Sequence, residues 1–455
     1  MTEMKKTLDD LGGLLAPLHR AQAQFATTFP GDSPARQPVH TVYGGAQLFK
    51  SDTAVKLGAA ARRHAEEYFP DSEALSEVYG LEPELAGKVA ARVAEKLGRE
   101  AVEDLRIDFE DGYGHRPDAE EDQQAVIAAG EVAKGMAEDT LPPFLGIRIK
   151  PLTAELETRS IRTLDLFLTA LADASGGRLP ENFVITLPKV TLREEVAAFV
   201  ALLEKLEREL GFGSGALRME LMVETTQSLI DDHGRAALPE LISAAQGRCV
   251  GAHFGVYDYT ASCNLIAAHQ RVRHRVCDFA RHLMQVSLVG RGVNLSDGAT
   301  NVMPVGPHRA AEGGTLSAAE REENRRTVHR ISKLNYDDVR HSLEGGFYQG
   351  WDLHPAQLPI RYTAVYSFFL EQLGEMTARL SAFIQKSAQA TLLGEVFDDA
   401  ATGQALLNYF LRGLACGAIS EDEMLATGLT LEEIRSRSFK AILTDRRARL
   451  AKEAK

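Results

Sequence analysis

Short apolar runs that close on a charged or amide residue recur along the chain: "LRIDFED", "FLGIRIKP", "NFVITLPKV", "LMVETTQ", "AHFGVYDYT", "GVNLSDGAT" and "GWDLHPAQ". In the first of these, Leu105, Ile107 and Phe109 alternate as in a half-buried strand, and Gly112 and Gly114 then release the backbone into a loop. With Asp108, Arg148, Lys189, Glu224, Asp258, Asn294 and Asp352 as markers, successive tips are separated by 40, 41, 35, 34, 36 and 58 residues, room for one βα unit each. Between the runs the period changes. In "REEVAAFVALLEKLERELG" apolar residues return at steps of three and four and a glycine closes the segment, which predicts a helix.

Adding "PVHTVYGG" near residue 40 as the first strand gives eight strand–helix units. Eight parallel strands with intervening helices predict an α/β fold, a (β/α)8 TIM barrel, with a C-terminal helical extension. A doubly wound open sheet is the alternative, but no GxGxxG or GxxxxGK[ST] loop follows any of the strands. The expected organisation is an N-terminal helical segment over 1–36, the barrel over 37–360 and the extension over 361–455. "SDTAVKLGAAARRHAEEYF" and "ELAGKVAARVAEKLG" predict two helices in the long interval between the first two strands.

Composition changes this picture little. The 455 residues are 44% hydrophobic and 25% charged, as in an ordinary globular protein. A balance of 51 basic against 64 acidic residues, formally -13, disfavours nucleic acid or an anionic membrane as partner. No run reaches transmembrane length, and the opening segment carries acids unlike a secretory signal, so the cytoplasm is the expected location. Cys249, Cys263, Cys277 and Cys416 form no CxxC pair and are expected to be reduced, buried thiols.

Parallel closure would bring Asp108, Glu110, Arg148, Lys189, Glu224, Asp258 and His354 to one face, the face on which such barrels keep their chemistry. Glu224 and Asp258, from neighbouring strands, are hard oxygen donors suited to Mg2+, with Mn2+ also fitting. A metal held by two protein ligands keeps open positions for a chelating 2-oxo acid. Arg148, always protonated, could stabilise an enolate oxyanion beside it. Blander readings stand next to these: Glu224 paired to a lysine, Asp258 a helix N-cap, Arg148 an ion-pair partner inside the barrel.

These motifs resemble the HpcH/HpaI aldolase and citrate lyase beta-subunit family of phosphoenolpyruvate/pyruvate-binding barrels. "IDFEDGYGHRPDAEEDQQA" is similar to its "DLEDAV" motif, "GIRIK" to "VRIN", "TLPKV" to "PKV", "MVETTQSLI" to "IET", "HFGVYDYTA" to "GxxD", "VNLSDGAT" to "DG" and "GFYQGWDLHPAQL" to "GxxGKxxIHPxQ". The resemblance implies Mg2+ on Glu224 and Asp258 and substrate oxygens on Arg148. It places Asp108, Glu110 and Asp111 behind them as catalytic support, bonding metal waters or pairing with Arg148 and Lys189. Lys189, Gly255, His354 and Gln357 would line the substrate site, with Lys189 balancing acids rather than forming an imine. His115 reads equally as a further acid/base candidate or as a cap of its loop. The implied activity is a Mg2+-dependent carbon–carbon lyase or aldolase acting through an enolate of a 2-oxo acid or acyl substrate. Alternatives are a malate-synthase-like or malyl-coenzyme A lyase-like enzyme and a non-catalytic barrel that binds metal and oxo acid. The family also implies a homo-oligomer, a trimer or hexamer.

The chain departs from the family where a coenzyme A-holding "SxLFVPGxR" strand would stand, since it has "HTVYGGAQLFK" there. In the extension, Asp398 and Asp399 precede a helical pattern; they read as a helix cap or, alternatively, as a lid that delivers a catalytic carboxylate.

Overall fold

The computed structural model describes residues 12–31, 33, 35–311, 313–385, 391–393, 396–398 and 400–453. Eight strands, β1 (His40–Gly45), β2 (Asp104–Asp108), β3 (Phe144–Arg148), β4 (Phe183–Leu187), β5 (Arg218–Val223), β6 (Cys249–Phe254), β7 (Asn294–Ser296) and β8 (Gly350–Asp352), run in the spatial order β7-β6-β5-β4-β3-β2-β1-β8. Every named pair is parallel. A parallel bridge between Ser296 and Gln349, with Asp297 N donating to Gln349 O at 2.8 Å, joins the two edges and closes the barrel. The (β/α)8 barrel read from the sequence is the fold, and helices follow the chain's tail. Among the described residues no helix is long and apolar enough to cross a membrane.

The helix over Arg193–Leu210 forms where its apolar period predicts, and Gly211 ends it at φ 73°, a backbone that glycine adopts without a Cβ penalty. Between β1 and β2 lie the two predicted helices, Thr53–Tyr68 and Pro83–Arg99, and a short third, Ser72–Tyr79. One reading needs correction. The alternation in β2 suggests a strand with one wet face, yet all five of its residues are buried. Arg106 reaches Thr186 and Glu220 across the barrel, so Leu105 and Ile107 face the surrounding helices while the polar set lines a charged interior. Gly146, beside Arg106 in the register, leaves room for it: a Cβ there would lie 2.4 Å from Val184 O and 3.1 Å from Arg106 Cδ.

The helix Leu358–Leu370 is apolar on nearly every side and almost entirely buried, and it carries the chain from the barrel into the tail. The tail is mostly helical, but two short strands in it, Thr391–Leu393 and Val396–Asp398, pair antiparallel. Asp398 therefore ends a strand, and Asp399, the other residue of the cap or lid reading, lies outside the described residues. Cys249, Cys277 and Cys416 are buried thiols; Cys263 is half-buried.

At the foot of β1, His40 is fully buried and its Nε2 accepts from Glu103 N at 3.0 Å. Burial, then the positive charges of Arg361, Lys96 and Arg36, hold its pKa well below the ordinary value. The unfolded imidazole takes a proton near pH 6.5 while the folded one stays neutral, so stability is lost as pH falls below that value. For this group the loss is about 1.4 kcal/mol at pH 5.5. Urea unfolding at pH 7.5 and 5.5 should show it as a difference between wild type and His40→Gln; equal pH slopes would refute it.

Candidate active site

The C-terminal ends of β2 to β6 bring seven charged side chains together. Arg148, buried at the end of β3, donates from Nε to Asp108 Oδ1 at 2.8 Å and from Nη2 to Asp108 Oδ2 at 2.5 Å. Its remaining nitrogen, Nη1, lies 2.8 Å from Glu110 Oε2 and 3.6 Å from Asp111 Oδ2. Glu110 Oε2 is buried and receives no aligned hydrogen bond, so the contact with Arg148 is an ion pair. Lys189 pairs with Glu110, with Asp111 at 3.5 Å and with Asp258 at 3.7 Å.

Asp108 is saturated. Beyond the fork of Arg148 it accepts from Glu110 N at 2.9 Å and Gly112 N at 2.7 Å. Burial alone would raise its pKa, but Arg148 and the two amides hold it below the ordinary carboxylate value. It is a positioning residue for Arg148, with no oxygen left for substrate chemistry. Glu110 behaves differently: burial, and secondarily Asp111, raise its pKa against the pull of Arg148 and Lys189. Asp111 stands at the solvent edge, its side chain 60% exposed.

Glu224 follows β5 and is 1% exposed. Its Oε1 accepts from the backbone N of Lys189 at 2.8 Å, not from the ammonium group. Lys189 holds a left-handed φ of 50°, uncommon for a residue with a side chain. Burial, then the charges of Glu110 and Asp258, push the Glu224 carboxyl up to about 8. Those same carboxylates, Glu224 and Glu110, raise the Lys189 ammonium against the effect of burial. A lysine held charged suits acid balancing and not imine formation. Asp258 sits in the first turn of the helix Val256–Ser262, after Gly255 at the cap position, so it is not the N-cap. A Cβ on Gly255 would lie 2.4 Å from Glu224 Oε2; glycine here keeps the approach to that oxygen clear.

His354 and Gln357 hold the rim. His354 Nδ1 accepts from Ala356 N at 3.2 Å. Gln357 is buried, with Oε1 accepting from Leu353 N and His354 N and Nε2 donating to Thr300 O, which ties the loops after β7 and β8 together. A side chain so engaged shapes the site without offering a free group to a ligand. His115 is exposed on the loop after β2.

A polar layer below the site was not legible as a motif. Tyr43 lies under the Arg148 guanidinium, 4.9 Å from ring centroid to Cζ, and packs at a 30° tilt against Trp351, 4.5 Å between ring centroids. Trp351 Nε1 donates to His253 Nδ1 at 3.1 Å. An indole can only donate, so His253 carries its proton on Nε2, which faces Glu220 Oε1 at 3.3 Å. Glu220 in turn takes Arg106, which also pairs with Asp104. The alternation of charge in β2 and β5 was the available signal.

Five carboxylates (Asp108, Glu110, Asp111, Glu224, Asp258) thus meet two cations, Arg148 and Lys189. Among the described residues no three His, Cys, Asp or Glu side chains are arranged to hold a metal by themselves. A pair of carboxylates, one buried beside a glycine and one at the solvent edge, with an unbalanced acidic surround, does fit a divalent cation that keeps open positions.

Fold and geometry together define a (β/α)8 barrel with an acidic, arginine-bearing C-terminal face. The chain belongs to the family described as a domain of unknown function, DUF6986, whose profile matches residues 18–442. No curated protein sequence matches it. Among solved structures it is similar to a citrate lyase from Burkholderia xenovorans LB400, at 18% identity over 88% of this chain and 97% of that one, with a TM-score of 0.55. A Haloferax volcanii malate synthase in ternary complex with pyruvate and acetyl-CoA aligns at 14% identity over 90% and 97% of the two chains, TM-score 0.43. The protein CitE from Mycobacterium tuberculosis, in complex with magnesium, acetoacetate and coenzyme A, aligns at 16% over 85% and 100%, TM-score 0.45. At these identities the likeness is one of fold.

Proposed function

We propose that this protein is a Mg2+-dependent carbon–carbon lyase acting on a 2-oxo acid or related acyl substrate through an enolate. The observation that carries the reading is the buried Glu224 carboxylate, kept open by Gly255 and set beside Asp258 and Arg148. The motif resemblance, and the barrel shared with a citrate lyase, support it. Glu224 and Asp258 would hold the cation, which when bound supplies Lewis acidity toward a chelating substrate.

The chain's own groups do the rest. Asp108 fixes the plane of Arg148 through two bonds, which leaves Nη1, now paired with Glu110, as the edge that can donate to a substrate oxygen brought up to it. A guanidinium held in advance stabilises developing negative charge without reorganising in the reaction. Lys189 keeps Glu110 and Asp111 from repelling an anionic substrate.

Calorimetric titration with Mg2+ and pyruvate, oxaloacetate or acetyl-coenzyme A, followed by a product screen over 2-oxo acids and acyl thioesters, tests the reading. Absence of Mg2+-dependent binding and turnover across that set would overturn it. Gly255→Ala gives a sharper check. Its methyl group must displace Glu224, so Mg2+ affinity should fall roughly tenfold or more, the scale of disturbing a ligand's support. The melting temperature should fall as well, because the new methyl group also lies 2.6 Å from the backbone-anchored Glu224 Cβ, so Mg2+ affinity is compared at a temperature where both proteins are folded. Wild-type affinity in this variant would remove Glu224 as a ligand.

A further inference from the structure

The N-terminal helix Gly12–Thr28 buries none of its residues. Leu14, Leu18 and Phe25, four and seven positions apart, share one stripe of it and are 74%, 50% and 64% exposed. A lone helix of 17 residues is marginal in water, and Pro17 inside this one weakens it further. Its stability calls for a packing partner.

A second uncovered apolar stripe lies on the helix Arg275–Leu288 and the residue after it: Phe279, Val286 and Val289, 54%, 81% and 57% exposed. The two stripes approach each other at their ends. Gly31 N donates to Gly290 O at 2.9 Å, and the Arg291 guanidinium lies 4.6 Å from the Phe29 ring centroid. Val289 also lines a cavity of about 510 Å³ at the base of the barrel, with walls that include Val293, Val365, Phe369 and Leu411. The second stripe therefore continues into a recess of mixed walls, with Gln37, Asn294, Gln404 and Asn408 beside the apolar residues, able to receive a side chain.

We propose that the helix Gly12–Thr28 is an exchange arm that docks its Leu14/Leu18/Phe25 stripe on the Phe279/Val286/Val289 stripe of a second copy of this chain. Donor and acceptor belong to one sequence, stay uncovered within one molecule and are tethered side by side, so a two-fold axis near Gly31 and Gly290 places each arm on the other subunit and closes the pair. The area is sufficient. A helix of this length is about 26 Å long and about 10 Å wide, and two arms with two acceptor faces cover roughly 1,000 Å², the least that a biological interface needs.

Light scattering on the full chain at about 50 μM concentration tests the exchange. The expected mass is two chains or an even multiple, and Leu18→Glu and Val286→Glu should each reduce it, with circular dichroism losing no more than the helicity of the arm itself. Oxidising a mixture of Leu18→Cys and Val286→Cys proteins should yield a disulfide-linked pair of chains that neither protein forms alone. A single-chain mass, a three-chain assembly, an assembly that survives either glutamate, or a mixture that does not cross-link overturns the proposal.

Discussion

Glu224→Gln is expected to remove Mg2+ binding and all metal-dependent turnover, while the melting temperature of the metal-free protein stays level or rises. Glutamine keeps the shape and the bond from Lys189 N but cannot supply a charged oxygen to a cation. The wild-type carboxyl is buried among Glu110 and Asp258 and titrates at about 8. An unfolded glutamate ionises near pH 4.3. Between those values the folded protein holds a proton that the unfolded chain has released, so metal-free stability declines as pH rises from about 4.3 to about 8. Glutamine abolishes that decline. Melting curves in chelator at pH 6 and pH 8, beside calorimetric Mg2+ titrations of both proteins, make the comparison; undiminished Mg2+ affinity in Glu224→Gln would end the assignment.

For Arg148→Lys the expected result is a loss of roughly 2 to 4 kcal/mol in transition-state stabilisation, or about 30- to 1,000-fold in kcat/KM. The charge survives, but an ammonium cannot span both oxygens of Asp108 and present a third nitrogen beyond them. Asp108 and Glu110 are buried and would keep only a point charge for company, so a drop in stability accompanies the loss. Arg148→Met separates the two effects. It strands the carboxylates and should cost roughly 3 to 5 kcal/mol in urea unfolding, well beyond the lysine variant. Wild-type kcat/KM in Arg148→Lys would show that Arg148 acts only as a structural ion pair.

What the sequence determined by itself is the order of elements and the side of the barrel on which charge collects. Period two in "LRID" against steps of three and four in "EEVAAFVALLEKL" separates strand from helix, since each period follows from local backbone geometry. Residues just beyond strand ends, such as Glu110, Lys189 and Glu224, were legible as a set because parallel closure puts all such ends on one face. Their division of labour was not. That Asp108 is spent on Arg148, that Gln357 braces two loops, and that Gly255 clears an oxygen of Glu224 all depend on approaches between residues 31 to 57 positions apart. The charged layer of Asp104, Arg106 and Glu220 likewise hid behind a pattern that ordinarily marks a wet face. A strand's alternation records that its two faces differ, but only the closed barrel decides whether the polar face meets water or buried partners of opposite charge.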